Sequence, residues 1–199
     1  MNTIDNKTIN KNEKSRASSK TLVKISLTSL FAALIAAGTF IAIPIGPVPI
    51  VLQNLFCLLS GLILGPLLGG AAVGLFLLAG ILNFPVFAGA SGGIARFAGP
   101  TGGFLIGYLL MAIIAGLIAG KPRSNKIISL PRLIAAVTAG MLIVYVPGVA
   151  WLKLSRGLSW PQSFSIGFVP FIIGDILKGI TAVLISKRLR KITAEYLNG

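Results

Sequence analysis

The apolar segment Leu22 to Ile43 is long enough to span the roughly 30 Å hydrocarbon core of a bilayer. Further apolar runs follow it at once: Ile50–Leu64, Leu67–Leu82, Phe104–Ala119, Leu133–Ala150 and Phe164–Ser186. This succession constrains the fold more than any other feature. Only 11% of the 199 residues are charged and 55% are hydrophobic, where an ordinary soluble domain is about 25% charged. The chain therefore reads as an integral membrane protein with one compact bundle. The first run is too long for the core of a signal peptide and more spans follow, so it reads as a retained helix.

The placement of the charges sets the topology. Of the 18 Lys and Arg, six lie in the tail up to Lys24, four between Lys121 and Arg132, and four from Lys187 onward. Basic residues collect on the cytoplasmic side, so these three regions share that side. An even number of spans must separate each pair. Leu22–Gly120 fits four spans and the remainder two. The expectation is an all-α bundle of six transmembrane helices with both termini cytoplasmic, a multi-pass protein of the cell membrane. Residues 1–20 are polar and read as a disordered cytoplasmic tail, 21–191 as the membrane domain and 192–199 as a second cytoplasmic tail. The net charge of +14 is explained by topology and calls for no nucleic acid. With no His and a single Cys, neither a Cys/His metal site nor an intrachain disulfide can form, and Cys57 reads as a packing residue. No cofactor is expected.

Three loops then fall on the outer side: the proline-rich Pro44–Pro49, the glycine-rich stretch Asn83–Tyr108, and Trp151–Ser163. The glycine-rich stretch carries one charge, Arg96, between Gly89, Gly92 and Gly93 on one side and Gly99, Gly102 and Gly103 on the other. Small residues recur at i, i+4 spacing in Ala32/Ala36, Ala33/Ala37, Gly65/Gly69, Gly70/Gly74, Gly103/Gly107 and Gly116/Gly120. Such rows let helices approach closely, within the chain or against another membrane subunit.

The last run contains Gly174-Asp-Ile-Leu-Lys178. Asp175 and Lys178 are three residues apart and share a helix face. A charge placed mid-membrane costs about 2.5–3.5 kcal/mol on insertion scales, so the pair must face a cavity or partners. One reading is a mutual ion pair that locks the helix, the other a ligand site. Asp175 is the only acid between Glu13 and Glu195, and with Arg96 and Lys178 it leaves one net positive charge that an anionic ligand would balance. Gln53 and Asn83 are further candidates, each as a ligand group or as a cap or buried hydrogen bond. Acid–base catalysis has little support without His or a second intramembrane carboxylate. Gly116-Leu-Ile-Ala-Gly120-Lys121 lacks the length, the Ser/Thr and the preceding strand of a P-loop, so no ATPase is encoded here.

Ile43-Pro-Ile-Gly-Pro-Val-Pro49, Arg96 followed by Gly99-Pro-Thr-Gly-Gly103-Phe-Leu-Ile-Gly-Tyr108, and Gly174-Asp-Ile-Leu-Lys178 together resemble the BioY family, the biotin-specific S components of energy-coupling-factor vitamin transporters. The resemblance covers Leu22 to Lys191. It implies six helices, biotin bound near the outer surface, and a complex with a membrane coupling (T) subunit and two cytoplasmic ATPases. Ala32, Ala33, Ala36 and Ala37 resemble the docking motif of S components. The residues suit biotin on their own terms. Asp175 can accept from the ureido N–H groups, Asn83 or Lys178 can donate to its carbonyl, and Gln53 is a weaker candidate. Arg96 or glycine-loop amides can hold the carboxylate, and Arg96 can alternatively pair with Asp175. The competing readings are an S component for another vitamin, a non-transporting membrane accessory protein, and a membrane enzyme using Asp175.

Overall fold

The computed structural model describes residues 2–44, 47–123 and 128–198. Ile45 and Gly46 of the proline loop, and Ser124, Asn125 and Lys126 of the basic loop, lie outside the described residues. In chain order the elements are α1 (Asn2–Phe40), β1 (Ala42–Ile43), β2 (Ile50–Val51), α2 (Gln53–Leu64), α3 (Pro66–Ile81), α4 (Ile94–Phe97), α5 (Gly102–Ala119), α6 (Leu130–Arg156), α7 (Trp160–Gly167) and α8 (Ile172–Asn198). A 3-10 turn, Val169–Phe171, joins α7 to α8.

Glycine and proline punctuate the helices. Gly65 (φ 84°) ends α2 and Pro66 starts α3, so the two helices turn directly into each other. Pro131 and Pro161 stand in the first turns of α6 and α7, where the missing N–H costs nothing. Ser159 and Gln162 cap α7 reciprocally. The first helix runs back to Asn2, through the stretch read above as a disordered tail. Residues 2–20 contain no Gly or Pro to stop it.

Among the described residues, four stretches are long and apolar enough to cross a membrane: Ser18–Phe40, Gly102–Ala119, Leu130–Arg156 and Trp160–Leu197. The two remaining apolar helices, α2 and α3, have 12 and 16 residues, or about 18 and 24 Å of rise. They fall short of the hydrocarbon thickness, where the sequence reading counted them among six spans. Every residue of α2 except Phe56 is buried, and it packs against α1, α3, α5 and α8. It is thus the core of the bundle and has almost no lipid-facing side.

Two features depart from an all-α chain with continuous spans. The prolines of the first loop exclude helix, and the flanking residues form a short antiparallel ribbon with Ala42 opposite Val51 and Ile43 opposite Ile50. The last apolar run is broken at Phe168–Phe171, where Pro170 cannot continue the ladder of α7. The helix restarts at Ile172, which puts Asp175 in its first turn.

Glycine rows set the closest approaches. A Cβ on Gly69 would lie 2.6 Å from the Gly61 backbone, one on Gly116 2.6 Å from Pro66, and one on Gly107 2.8 Å from the Val144 carbonyl. Gly103 abuts the Pro147 carbonyl and Trp151. Gly74 meets nothing within 4 Å, so its place in a small-residue pair has no packing role here. At the far end of α8, Arg190 is 7% exposed and donates to the Leu62 carbonyl and to those of Ala119 and Gly120 at 3.1 and 2.9 Å. It thereby satisfies the terminal carbonyls of α2 and α5.

The glycine contacts make a direct prediction. Gly69→Ala and Gly116→Ala each force backbone against backbone and should destabilise the bundle by about 1–3 kcal/mol. Gly74→Ala should leave stability unchanged or slightly raised. Thermal unfolding of the detergent-solubilised variants measures the contrast.

Candidate functional site

The restart of the last helix creates the site. The first turn of a helix favours an acid, because its N–H groups carry partial positive charge, and Asp175 stands there. Lys178 lies one turn on, on the same face. Their side chains are 14% and 11% exposed, and Lys178 Nζ is 3.5 Å from Asp175 Oδ1. This is the only ion pair among the described residues.

Partners come from three other elements. Lys178 Nζ donates to the Val51 carbonyl of β2 and to Asn54 Oδ1 of α2, both at 2.8 Å. Asn54 Nδ2 donates to Asp175 Oδ1 at 3.1 Å, and the Tyr145 hydroxyl of α6 donates to Asp175 Oδ2 at 2.5 Å. The three protons of the ammonium thus have three acceptors, and both carboxylate oxygens have donors. One carboxamide bridges acid and base, giving N–H to the first and C=O to the second.

Beyond this cluster lies a cavity of about 30 Å³, room for about one water molecule. It is walled by Val48 and Val51 from the ribbon, Gln53 from α2, Phe87 and Arg96 from the glycine-rich stretch, and Phe104 from α5. Val51 links it to the cluster through its carbonyl, and Phe104 packs on Tyr145 with ring centroids 6.4 Å apart. Gln53 is 2% exposed, and its Nε2 has no hydrogen-bond partner among the described residues. An unmet buried donor at a cavity wall is a cost that a ligand acceptor would remove.

The glycine-rich stretch closes this cavity. Phe87 inserts its ring against Gly80 and packs edge-on to Phe76 at 5.5 Å. The Gly93 N–H donates to the Gly80 carbonyl at 2.7 Å, and Trp151 Nε1 of α6 donates to Gly99 at 2.9 Å. Arg96 donates to the Ala88 carbonyl of its own loop at 3.2 Å, so it does not pair with Asp175. A second cavity, about 410 Å³ and mostly apolar, opens between α6 and α8. Tyr145 and Asp175 line it, and among the described residues no cation does.

The sequence candidates thus divide. Asp175 and Lys178 meet directly, and Gln53 and Arg96 share the small cavity. Asn83 lines neither cavity. It is exposed at the end of α3, adopts φ 72° and rests its Oδ1 by Gly93, as a helix-terminal Asn can. Sequence reasoning missed Asn54 and Tyr145. Asn54 had a signal, a second carboxamide beside Gln53 in an otherwise apolar run. Tyr145 had none, since an aromatic residue in a span reads as packing. On α1, Ala33 and Ala37 are exposed while Ala32 and Ala36 are half-buried.

Comparison with known proteins identifies relatives of the whole chain. Residues 10–195 match the profile described as the BioY family. The chain is 43% identical over 167 residues to the "Probable biotin transporter BioY" of Pyrococcus horikoshii, covering 84% of this chain and 96% of that one. It is 40% identical over 166 residues to the "Biotin transporter BioY" of Thermotoga maritima, covering 83% and 95%. Its fold is similar to the crystal structure of the S-component for biotin from an ECF-type ABC transporter, with a TM-score of 0.77, 33% identity and coverage of 86% and 92%. The chain belongs to the BioY family.

Proposed function

We propose that this chain is the biotin-binding S component of an energy-coupling-factor transporter. The Asn54 carboxamide that bridges Asp175 and Lys178 carries the reading. A ureido ring presents the same pair of groups, an N–H beside a carbonyl. The site therefore holds an internal group with the ligand's own chemistry, and binding is an exchange of one for the other. The names of the relatives and of the structural neighbour support biotin as that ligand. The chain is a transporter subunit and not an enzyme.

In this reading Asp175 accepts from the ureido N–H groups and Lys178 donates to its carbonyl. The valerate chain runs beneath the glycine-rich stretch, its carboxylate towards Arg96. Gln53 Nε2 gains an acceptor. The smaller cavity is preferred over the larger because a carboxylate in the latter would face Asp175 without a cation. A cavity of about 30 Å³ cannot hold a bicyclic ring, so ligand entry parts the ribbon from the glycine-rich stretch. That stretch, bearing Asn83 and Arg96, is both wall and lid.

The finer topology belongs to the same proposal. The short helices α2 and α3 cross the membrane with the four longer stretches, making six. Both termini, including residues 1–20 and 192–199, lie in the cytoplasm of a cell-membrane protein, and 21–191 form the S-component domain. A membrane coupling subunit docks on the small-residue row Ala32, Ala33, Ala36 and Ala37, with two cytoplasmic ATPases supplying the energy.

Isothermal titration of the purified chain with biotin and a panel of other vitamins tests the function. Tight biotin binding is expected, and heat with another vitamin alone would replace the ligand. Asp175→Asn and Lys178→Ala should each weaken binding more than tenfold, the loss of one charge-assisted hydrogen bond of about 1.5–3 kcal/mol. Asn54→Ala removes the internal competitor and should leave affinity at or above that of wild type. Wild-type affinity in both charge variants would sink the site assignment.

A spin label at the exposed Ala90 should lose mobility when biotin binds, and unchanged spectra would remove the lid role while leaving the wall. Ala33→Leu with Ala37→Leu should abolish co-purification with the coupling subunit while biotin affinity stays constant. Retained co-purification would move docking elsewhere.

A further inference from the structure

At the end of α8 opposite Asp175 lies a cavity of about 340 Å³ lined by Lys121, Arg123, Arg132 and Arg190. Among the described residues four cations face one space, and no carboxylate lines it. Two of them are fixed in place. Arg190 is held by the carbonyls of Leu62, Ala119 and Gly120, and Arg132 Nε donates to the Ile118 carbonyl at 2.6 Å. The wall also includes Ser129, the N-cap of the 27-residue α6, which makes no side-chain capping bond. The positive end of that helix therefore opens towards the same space.

Like charges gathered in one partly enclosed cavity repel, and an anion between them relieves the repulsion. Planar guanidinium forks and helix N-termini together match an oxyanion with several acceptor oxygens. Basic pockets between helices at the membrane surface suit lipid headgroups. Lys24, Lys187 and Arg188 gather near the same membrane boundary in the topology proposed above, at the ends of the spans. We propose that this cavity binds a phosphate oxyanion, presented by an anionic phospholipid of the inner leaflet. The assignment of leaflet rests on the proposed topology, whereas binding does not.

Native mass spectrometry of the detergent-purified full chain, with short-chain phosphatidylglycerol and phosphatidylcholine in competition, tests the proposal. The anionic lipid should be retained at least fivefold over the neutral one. Lys121→Gln with Arg123→Gln should erase that preference, while Lys121→Arg with Arg123→Lys keeps it. Lys187→Gln with Arg188→Gln removes the same charge at the same end but outside the cavity, and should change the preference less than twofold. Biotin titration of each variant checks that it is folded. Millimolar inorganic phosphate that displaces the lipid supports the oxyanion site and shows that free phosphate also fills it. Equal retention of both lipids overturns the proposal. So does an equal loss in the Lys187/Arg188 variant, which would mean a diffuse basic face. Binding of an acidic peptide with no phosphate probe retained would likewise overturn it in favour of a protein partner.

Discussion

A carboxylate and an ammonium inside an apolar bundle must be surrounded by hydrogen-bonding groups, or their burial outweighs what the helices gain by packing. Much of this fold can be read as the means of surrounding one such pair. Asp175 and Lys178 sit on α8, but their partners belong to β2, α2 and α6. The Val51 carbonyl is available because prolines turn the chain into a ribbon instead of extending α2 backwards. Asn54 reaches the pair because α2 lies at the centre of the bundle. That central position requires Gly61 and Gly69 to pack backbone on backbone.

Much of this arrangement was legible in the sequence. The apolar runs, the charge-poor interior, the special character of Asp175 and Lys178, and the proline and glycine loops all follow from composition and spacing. The positions of the missing pieces explain why they were missed. Asn54 is one residue from Gln53, and nothing local says which carboxamide turns towards α8. Tyr145 lies 30 residues from Asp175, on a helix whose rotation is decided by Gly103 and Gly107 meeting α6. The break at Pro170 was visible as a proline, yet an apolar sequence around it reads as one continuous span. The short reach of α2 and α3 was visible too, and only the tertiary structure shows that α2 is enclosed by other helices.

The two ends of α8 use charge in different ways. At one end the charged pair is matched by single side chains and one carbonyl. At the other, Arg190 closes the ends of two helices at once through backbone carbonyls. The middle of α8 exposes Ile176, Leu177, Ile180 and Leu184. Gly179, Ala182 and Ser186 on the opposite face are buried against the bundle, so only the outward face of the middle is free to meet lipid.

The resting position of the glycine-rich stretch depends on a side chain that is not there. Phe87 fills the space beside Gly80, where even a single added carbon would collide with its ring. The Gly80 carbonyl also receives the Gly93 N–H from the far side of the same loop. One residue of α3 thus provides both a notch and a hook. Two contacts of the stretch, the Phe87 ring in the notch and the Gly93 N–H on the carbonyl, thus depend on one residue of α3, and neither involves a charged group.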